Sequence, residues 1–184
     1  DTPAMEFDIT DALLAINQQN VVIANGGNYV INASRTVLAG DPDPLVNTVN
    51  VHATIAGFPN VLDDSASART NLFQPAIDVT KTADALSKVG DSVDYVITVY
   101  NNSSADTPAM EFDITDALLG INQQNVVIAN GANLVINASR AVVAGDPDPL
   151  VNTVNVHATV AGFPNTYDDS ATASTNLFQP AIDV

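Results

Sequence analysis

Three polar residues stand where the pattern calls for apolar ones. Lys81 falls in step with Ile77 and Val79, two residues apart along an extended stretch. Asp116 falls in step with Met110, Phe112 and Ile114, and Asn152 with Leu150, Val154 and Val156. Alternate residues of a strand share one face, so all three side chains are expected to point into a core. Lysine is almost never fully buried without a partner, and an isolated buried charge is very costly. The three are therefore expected to meet. Two chemical outcomes are open. In one, Lys81 and Asp116 form a buried ion pair and Asn152 satisfies the remaining hydrogen bonds. In the other, burial favours the neutral amine and the protonated carboxyl. Lys81 Nζ then attacks the side-chain carbonyl carbon of Asn152. Asp116 polarises that carbonyl and relays protons as ammonia leaves. The product is an intramolecular isopeptide bond, a staple in a chain that has no cysteine.

The elements that must hold these residues read as strands. Strict alternation runs through residues 93–99, 110–118 and 150–160. Further strands are expected at 76–82, 125–129, 134–143 and 168–177. Turn signals separate them: Gly90-Asp91, Asn101–Ser104, Asn130-Gly131, Asp146–Pro149 and Gly162–Asn165. About seven short strands in about 100 residues is the signature of an immunoglobulin-like β-sandwich. The fold class is therefore all-β, with room for at most one helical turn near residues 116–124.

Residues 1–79 recur as residues 106–184 with 10 differences, at a constant offset of 105. That period exceeds the roughly 20–50 residues of a solenoid unit and suits a repeat that buries its own core. Several exchanges keep character, such as Ile55 with Val160 and Ser67 with Thr172. The phase of the period implies a tandem array of modules. Residues 1–75 would be a partial module lacking its first two strands, and 76–184 a complete one. The first copy carries Asp11 and Asn47 where the second has Asp116 and Asn152. The position equivalent to Lys81 would precede Asp1, so at most one cross-link is expected in this sequence. Pro75 stiffens the junction at residues 71–77, which implies a semi-rigid rod.

Residues 79–101 and the later Ile114-Thr115-Asp116-x-Leu118 and Asn152-Thr153 resemble a known family. It is the tandem "domain of unknown function eleven" repeat of bacterial and archaeal surface proteins. The resemblance covers the whole 105-residue period. It implies an Ig-like sandwich in long extracellular or cell-surface proteins, without enzymatic activity. Related modules of Gram-positive adhesins and pili carry Lys–Asn isopeptide bonds with an acidic helper, and the matching positions are Lys81, Asp116 and Asn152. Leu119 departs from the pattern, standing where a proline commonly follows Asp-x-Leu, and Asn102-Ser103-Ser104 replaces a Gly-containing turn. Neither departure is expected to touch the triad.

Composition narrows the function classes. With 5 Lys and Arg against 21 Asp and Glu, the net charge is -16, a field that repels nucleic-acid phosphates. No apolar run reaches the roughly 18–20 residues that cross a bilayer as a helix. No leader segment and no nucleophile, phosphate-loop or zinc motif is evident. No enzyme and no resident cofactor is expected. Calcium is a candidate at acidic pairs: Asp41 and Asp43, Asp63 and Asp64, Asp146 and Asp148, Asp168 and Asp169. The sequence Asn-x-Ser occurs at Asn32, Asn101, Asn102 and Asn137. His52 and His157 alternate with polar residues and should face solvent. Phe58, Phe163 and Tyr100 could contact a ligand but suit turn packing better. The leading expectation is a structural spacer whose partners are neighbouring repeats, with lateral or end-to-end self-assembly into fibres. The alternative is an adhesin-type module recognising glycan or protein.

Overall fold

The computed structural model describes residues 3–178. It divides into two compact units, 1–72 and 73–184. The break falls three residues earlier than the sequence placed it, for a local reason. Gln74 N–H donates to Ser104 Oγ at 2.8 Å and Ala76 N–H to Ser103 Oγ at 3.0 Å. Phe73 meets Phe163 edge to face, with centroids 4.6 Å apart. Residues 73–76 are thereby tied into the second unit.

The first unit holds β1 (Met5–Asp11), β2 (Ile16–Ile23), β3 (Leu45–Ile55) and β4 (Val61–Thr70). They form one antiparallel sheet in the order β2-β1-β3-β4. The second unit holds β5 (Ile77–Ala83), β6 (Leu86–Ser87), β7 (Ser92–Asn101), β8 (Met110–Asp116), β9 (Ile121–Val127), β10 (Asn133–Ala141), β11 (Leu150–Val160) and β12 (Thr166–Leu177). These make two sheets, β10-β7-β5 and β6-β12-β11-β8-β9. Every pairing is antiparallel except the short β6–β12 contact.

The alternation in sequence becomes the packing. Val79 of β5 and Ile97 and Val99 of β7 face Met110, Phe112 and Ile114 of β8 and Val154, Val156 and Ala158 of β11. A core is thus enclosed between two sheets, the β-sandwich arrangement. Tyr95, Val93, Val142, Leu150 and Leu177 close a second cluster at one end. Asn101, 0% exposed, anchors the other end by donating from Nδ2 to the carbonyl oxygen of Ile128 at 2.7 Å.

Three local expectations need correction. The helical turn near residues 116–124 is a non-helical turn followed directly by β9. Gly120 sits there at φ +65, a left-handed value that glycine adopts without strain. The first copy has Ala15 at the same place, at φ 53. Second, β9 starts at Ile121 rather than 125; the sequence pattern misses its first half because Asn122, Gln123 and Gln124 are exposed and carry no alternation. Backbone pairing with β8 makes them a strand. A bulge lies between Phe112 and Ile114, where Asn125, at φ 54, donates its N–H to Asp113 Oδ1 at 2.8 Å. Third, β6 is an eighth strand in the second unit, too short to show in the sequence pattern.

Burial differs between equivalent positions, which gives a test. Phe112 is 0% exposed, whereas its counterpart Phe7 is only partly buried. Phe112→Ala should destabilise the second unit by about 3–5 kcal/mol, and Phe7→Ala should cost the first unit distinctly less. Hydrogen exchange reads each unit separately and checks the ordering.

Candidate functional site

Lys81, Asp116 and Asn152 do meet, each carried by a different strand. Lys81 lies on β5, with Ile97 of β7 as its pairing partner. Asp116 ends β8, and Asn152 lies near the start of β11. Their relative exposures are 8%, 1% and 3%. The Lys81 ammonium contacts Asp116 Oδ2 directly. Both side chains are fully shielded from solvent. Asn152 Nδ2 donates to the same Oδ2 at 3.1 Å. The other carboxylate oxygen, Oδ1, accepts the Leu119 N–H at 3.0 Å.

That last bond corrects a sequence-based expectation. Leu119 does touch the triad, through its backbone. A proline there would have no N–H to donate, so this leucine supplies one of the bonds that hold Asp116. Tyr95 is a further member that the triad pattern alone did not single out. Lys81 Nζ lies 5.2 Å from the Tyr95 ring centroid, within range of a cation–π contact. Burial pushes the Tyr95 phenol above its usual range. The signal was available, since Tyr95 alternates with Val93 and Ile97, but alternation does not say which core residue lies beside the lysine.

The arrangement is that of an ionised pair. An ionised carboxylate only accepts, so Asn152 presents its NH2 edge.

The first unit repeats two thirds of this site. Asp11 is 2% exposed. Its Oδ1 accepts the Leu14 N–H at 3.0 Å and its Oδ2 accepts Asn47 Nδ2 at 2.8 Å. No lysine completes the group among the described residues of this unit.

The acidic pairs bond groups of the chain itself, those at 41/43 and 146/148 in turns and those at 63/64 and 168/169 within β4 and β12. Arg140 clamps Asp146 with two bonds of 2.7 and 2.8 Å, and Arg35 does the same to Asp41. Asp148 Oδ1 accepts the Leu177 N–H, and Asp43 Oδ1 the Leu72 N–H. Asp168 and Asp63 bond the half-exposed His157 and His52. Asp64 and Asp169 each accept the N–H of the next serine, and Asp169 Oδ2 also accepts the Val79 N–H at 2.8 Å. Among the described residues no three such side chains converge as a metal site. Asn101 is buried with its amide nitrogen bonded inward, so it is no glycan acceptor; Asn32, Asn102 and Asn137 are exposed. Phe163 packs on Phe73 within its unit, as turn packing required, and Tyr100 is partly buried.

No protein-family model matches the chain, and no curated protein matches it.

The arginine clamps carry a pH signature. The hydrogen bonds from Arg140, then the Val143 N–H, lower Asp146 from its ordinary value to about 2. A depressed folded-state value contributes stability above the unfolded value, about 4, and loses it as pH falls through about 2. In Arg140→Met, Asp146 should titrate nearer its ordinary value by carboxyl NMR. The stability lost across that acid window should shrink accordingly.

Proposed function

We propose that the chain is part of a tandem structural spacer of an extracellular or cell-surface protein. In this reading each complete module is stapled by a Lys81–Asn152 isopeptide bond. The observation that carries it is the sealed contact of Lys81, Asp116 and Asn152, which joins the first strand of the module to a late one. Two near-identical copies at a fixed 105-residue offset support the tandem reading. Strand order supports an immunoglobulin-type module. If β5 and β7 are strands A and B, then β8, β9, β10, β11 and β12 are C, C′, E, F and G, and β6 is A′. The sheets then read E-B-A and A′-G-F-C-C′, which resembles the Greek-key layout of such sandwiches. The resemblance to surface-protein repeats supplies the location.

The chemistry balances within the three residues. A proton passes from the Lys81 ammonium to the Asp116 carboxylate, leaving a neutral amine and a neutral acid in a site that disfavours charge. The amide of Asn152 turns and its carbonyl oxygen accepts the Asp116 proton as a hydrogen bond. Nζ attacks Cγ, forming the new C–N bond. The amine's surplus proton moves through Asp116 to Nδ2, the Cγ–Nδ2 bond breaks, and ammonia departs. No oxidant and no cofactor is consumed. Closing residues 82–151 into a covalent loop stabilises the fold by about 4 kcal/mol on the chain-entropy account of cross-links. It also removes a buried ion pair whose desolvation opposes folding. Under tension the loop cannot extend, which suits a load-bearing spacer.

Intact mass decides the bond. The full chain should weigh one ammonia less than its sequence, and a digest should yield one branched peptide joining Lys81 to Asn152. Lys81→Ala, Asp116→Ala and Asn152→Ala should each restore the sequence mass. In single-molecule pulling, residues 82–151 should stay unextended in the parent and extend in Asn152→Ala. An unaltered parent mass would refute the staple and leave a buried ion pair.

A further inference from the structure

The second unit blunts three of its four sheet edges and leaves the fourth bare. Residues 73–177 span one whole 105-residue period, so these edges belong to the repeat itself. The edge strands are β10 and β5 in one sheet and β6 and β9 in the other. β6 is only two residues long. β5 is capped by Asp169, whose Oδ2 accepts the Val79 N–H at 2.8 Å. β9 is bent by the bulge opposite Phe112 and Ile114, where Asn125 gives its N–H to Asp113. Short strands, bulges and charged side chains are the usual guards against edge-to-edge pairing. β10 has none of them. Its nine residues, 133–141, pair with β7 without a break. They include no proline and no acid. Their one charge, Arg140, is folded back onto Asp146. Among the described residues no strand pairs with the other side of β10.

The bare edge is also held straight. At one end the Asn101 N–H donates to the Ala132 carbonyl oxygen at 3.0 Å, and at the other the Val142 N–H donates to that of Asp91 at 2.8 Å. Moreover, the strand is complementary to itself. When two copies lie antiparallel with Asn137 on the two-fold axis, every residue from 133 to 141 gains a partner on the same face. Ile136 then meets Ala138, Val135 meets Ser139, and Leu134 meets the stem of Arg140. Each large side chain faces a small or flexible one, and no charge faces a like charge. In a chain of net charge -16, an acid-free edge is where a second copy is repelled weakly.

We propose that β10 is a self-association edge, pairing antiparallel with β10 of a second copy of this chain. The two β10-β7-β5 sheets then become one continuous sheet across the seam. Backbone N–H and C=O groups along the edge supply the bonds, as in other strand additions. Val135 and Val96, 49% and 41% exposed on the outer face beside the seam, lose part of their contact with water. In a tandem array the edge recurs once per period, so weak pairs add along the chain. The pairing uses no atom of the Lys81, Asp116 and Asn152 cluster and is independent of the staple.

Sedimentation of the full 184-residue chain tests this. A reversible monomer–dimer equilibrium is expected, with the dimer favoured by added salt because salt screens the repulsion between two acidic chains. Hydrogen-exchange protection gained on dimerisation should fall in 133–141. Asn137 is exposed, and the chain has no cysteine of its own. On the two-fold axis the paired Cα atoms would lie about 4.5–5.5 Å apart, within disulfide range. Asn137→Cys should therefore form a covalent dimer on mild oxidation, and Asn122→Cys on the β9 edge should not. Asn137→Lys should weaken dimerisation at least about tenfold by setting two like charges face to face. That loss would come although the substitution lowers the overall repulsion. A chain that stays monomeric to about 1 mM would overturn the proposal. So would protection gained elsewhere than 133–141, cross-linking of Asn122→Cys as fast as Asn137→Cys, or undiminished association of Asn137→Lys.

Discussion

A charged amine sealed between two sheets sets the terms for the rest of the second unit. Lys81 has no access to water, so its charge must be met by protein groups or removed by chemistry. Asp116 meets it, but a buried carboxylate makes its own demands. Those are satisfied by the Leu119 N–H on one oxygen and by Lys81 and Asn152 on the other. Satisfying both charges fixes the relative position of three strands from distant parts of the chain. A shift of one residue in any of them would carry its polar group to the outer face and leave the others unpaired. The polar cluster therefore specifies register in a core whose aliphatic side chains would tolerate several packings.

The two copies act as a controlled comparison. Their strands equivalent to β8, β9, β11 and β12 are nearly alike in sequence, and both form the same antiparallel order. Asp11 and Asn47 even adopt the same hydrogen-bonded contact as Asp116 and Asn152. What changes is everything that depends on β5 and β7. Among the described residues the stretch 28–36 has no strand to pair with, and the inner face stays partly open. Strand formation here is a property of the neighbour as much as of the segment, as expected where β-propensity expresses packing against partners.

The acidity of the chain is handled locally. A net charge of -16 opposes compaction, yet the acidic loops are not idle surface. Asp41 and Asp146 are clamped by arginines, and Asp43 and Asp148 cap backbone N–H groups. These bonds brace the turns that carry the chain into β3 and β11, the strands bearing Asn47 and Asn152. Asp41, Asp43, Asp146 and Asp148, four of the carboxylates that sequence alone offers as calcium ligands, thus support turns.

Period-two alternation determined the strands, their inward faces and the burial of Lys81, Asp116 and Asn152, because side-chain direction in a strand is fixed by parity. The repeat determined the modular organisation. Parity could not reveal β6 or the polar half of β9, since those are strands only through backbone pairing with β12 and β8. Nor could it tell that Leu119 would donate to Asp116, or that Tyr95 would lie beside the lysine. Those contacts depend on which strands become neighbours across the two sheets. The partly open face of the first unit, by contrast, follows from the partial module that the repeat phase already implied. Which side chains meet across the sheets is decided only by the tertiary arrangement, because parity fixes the face of a residue and not its neighbours.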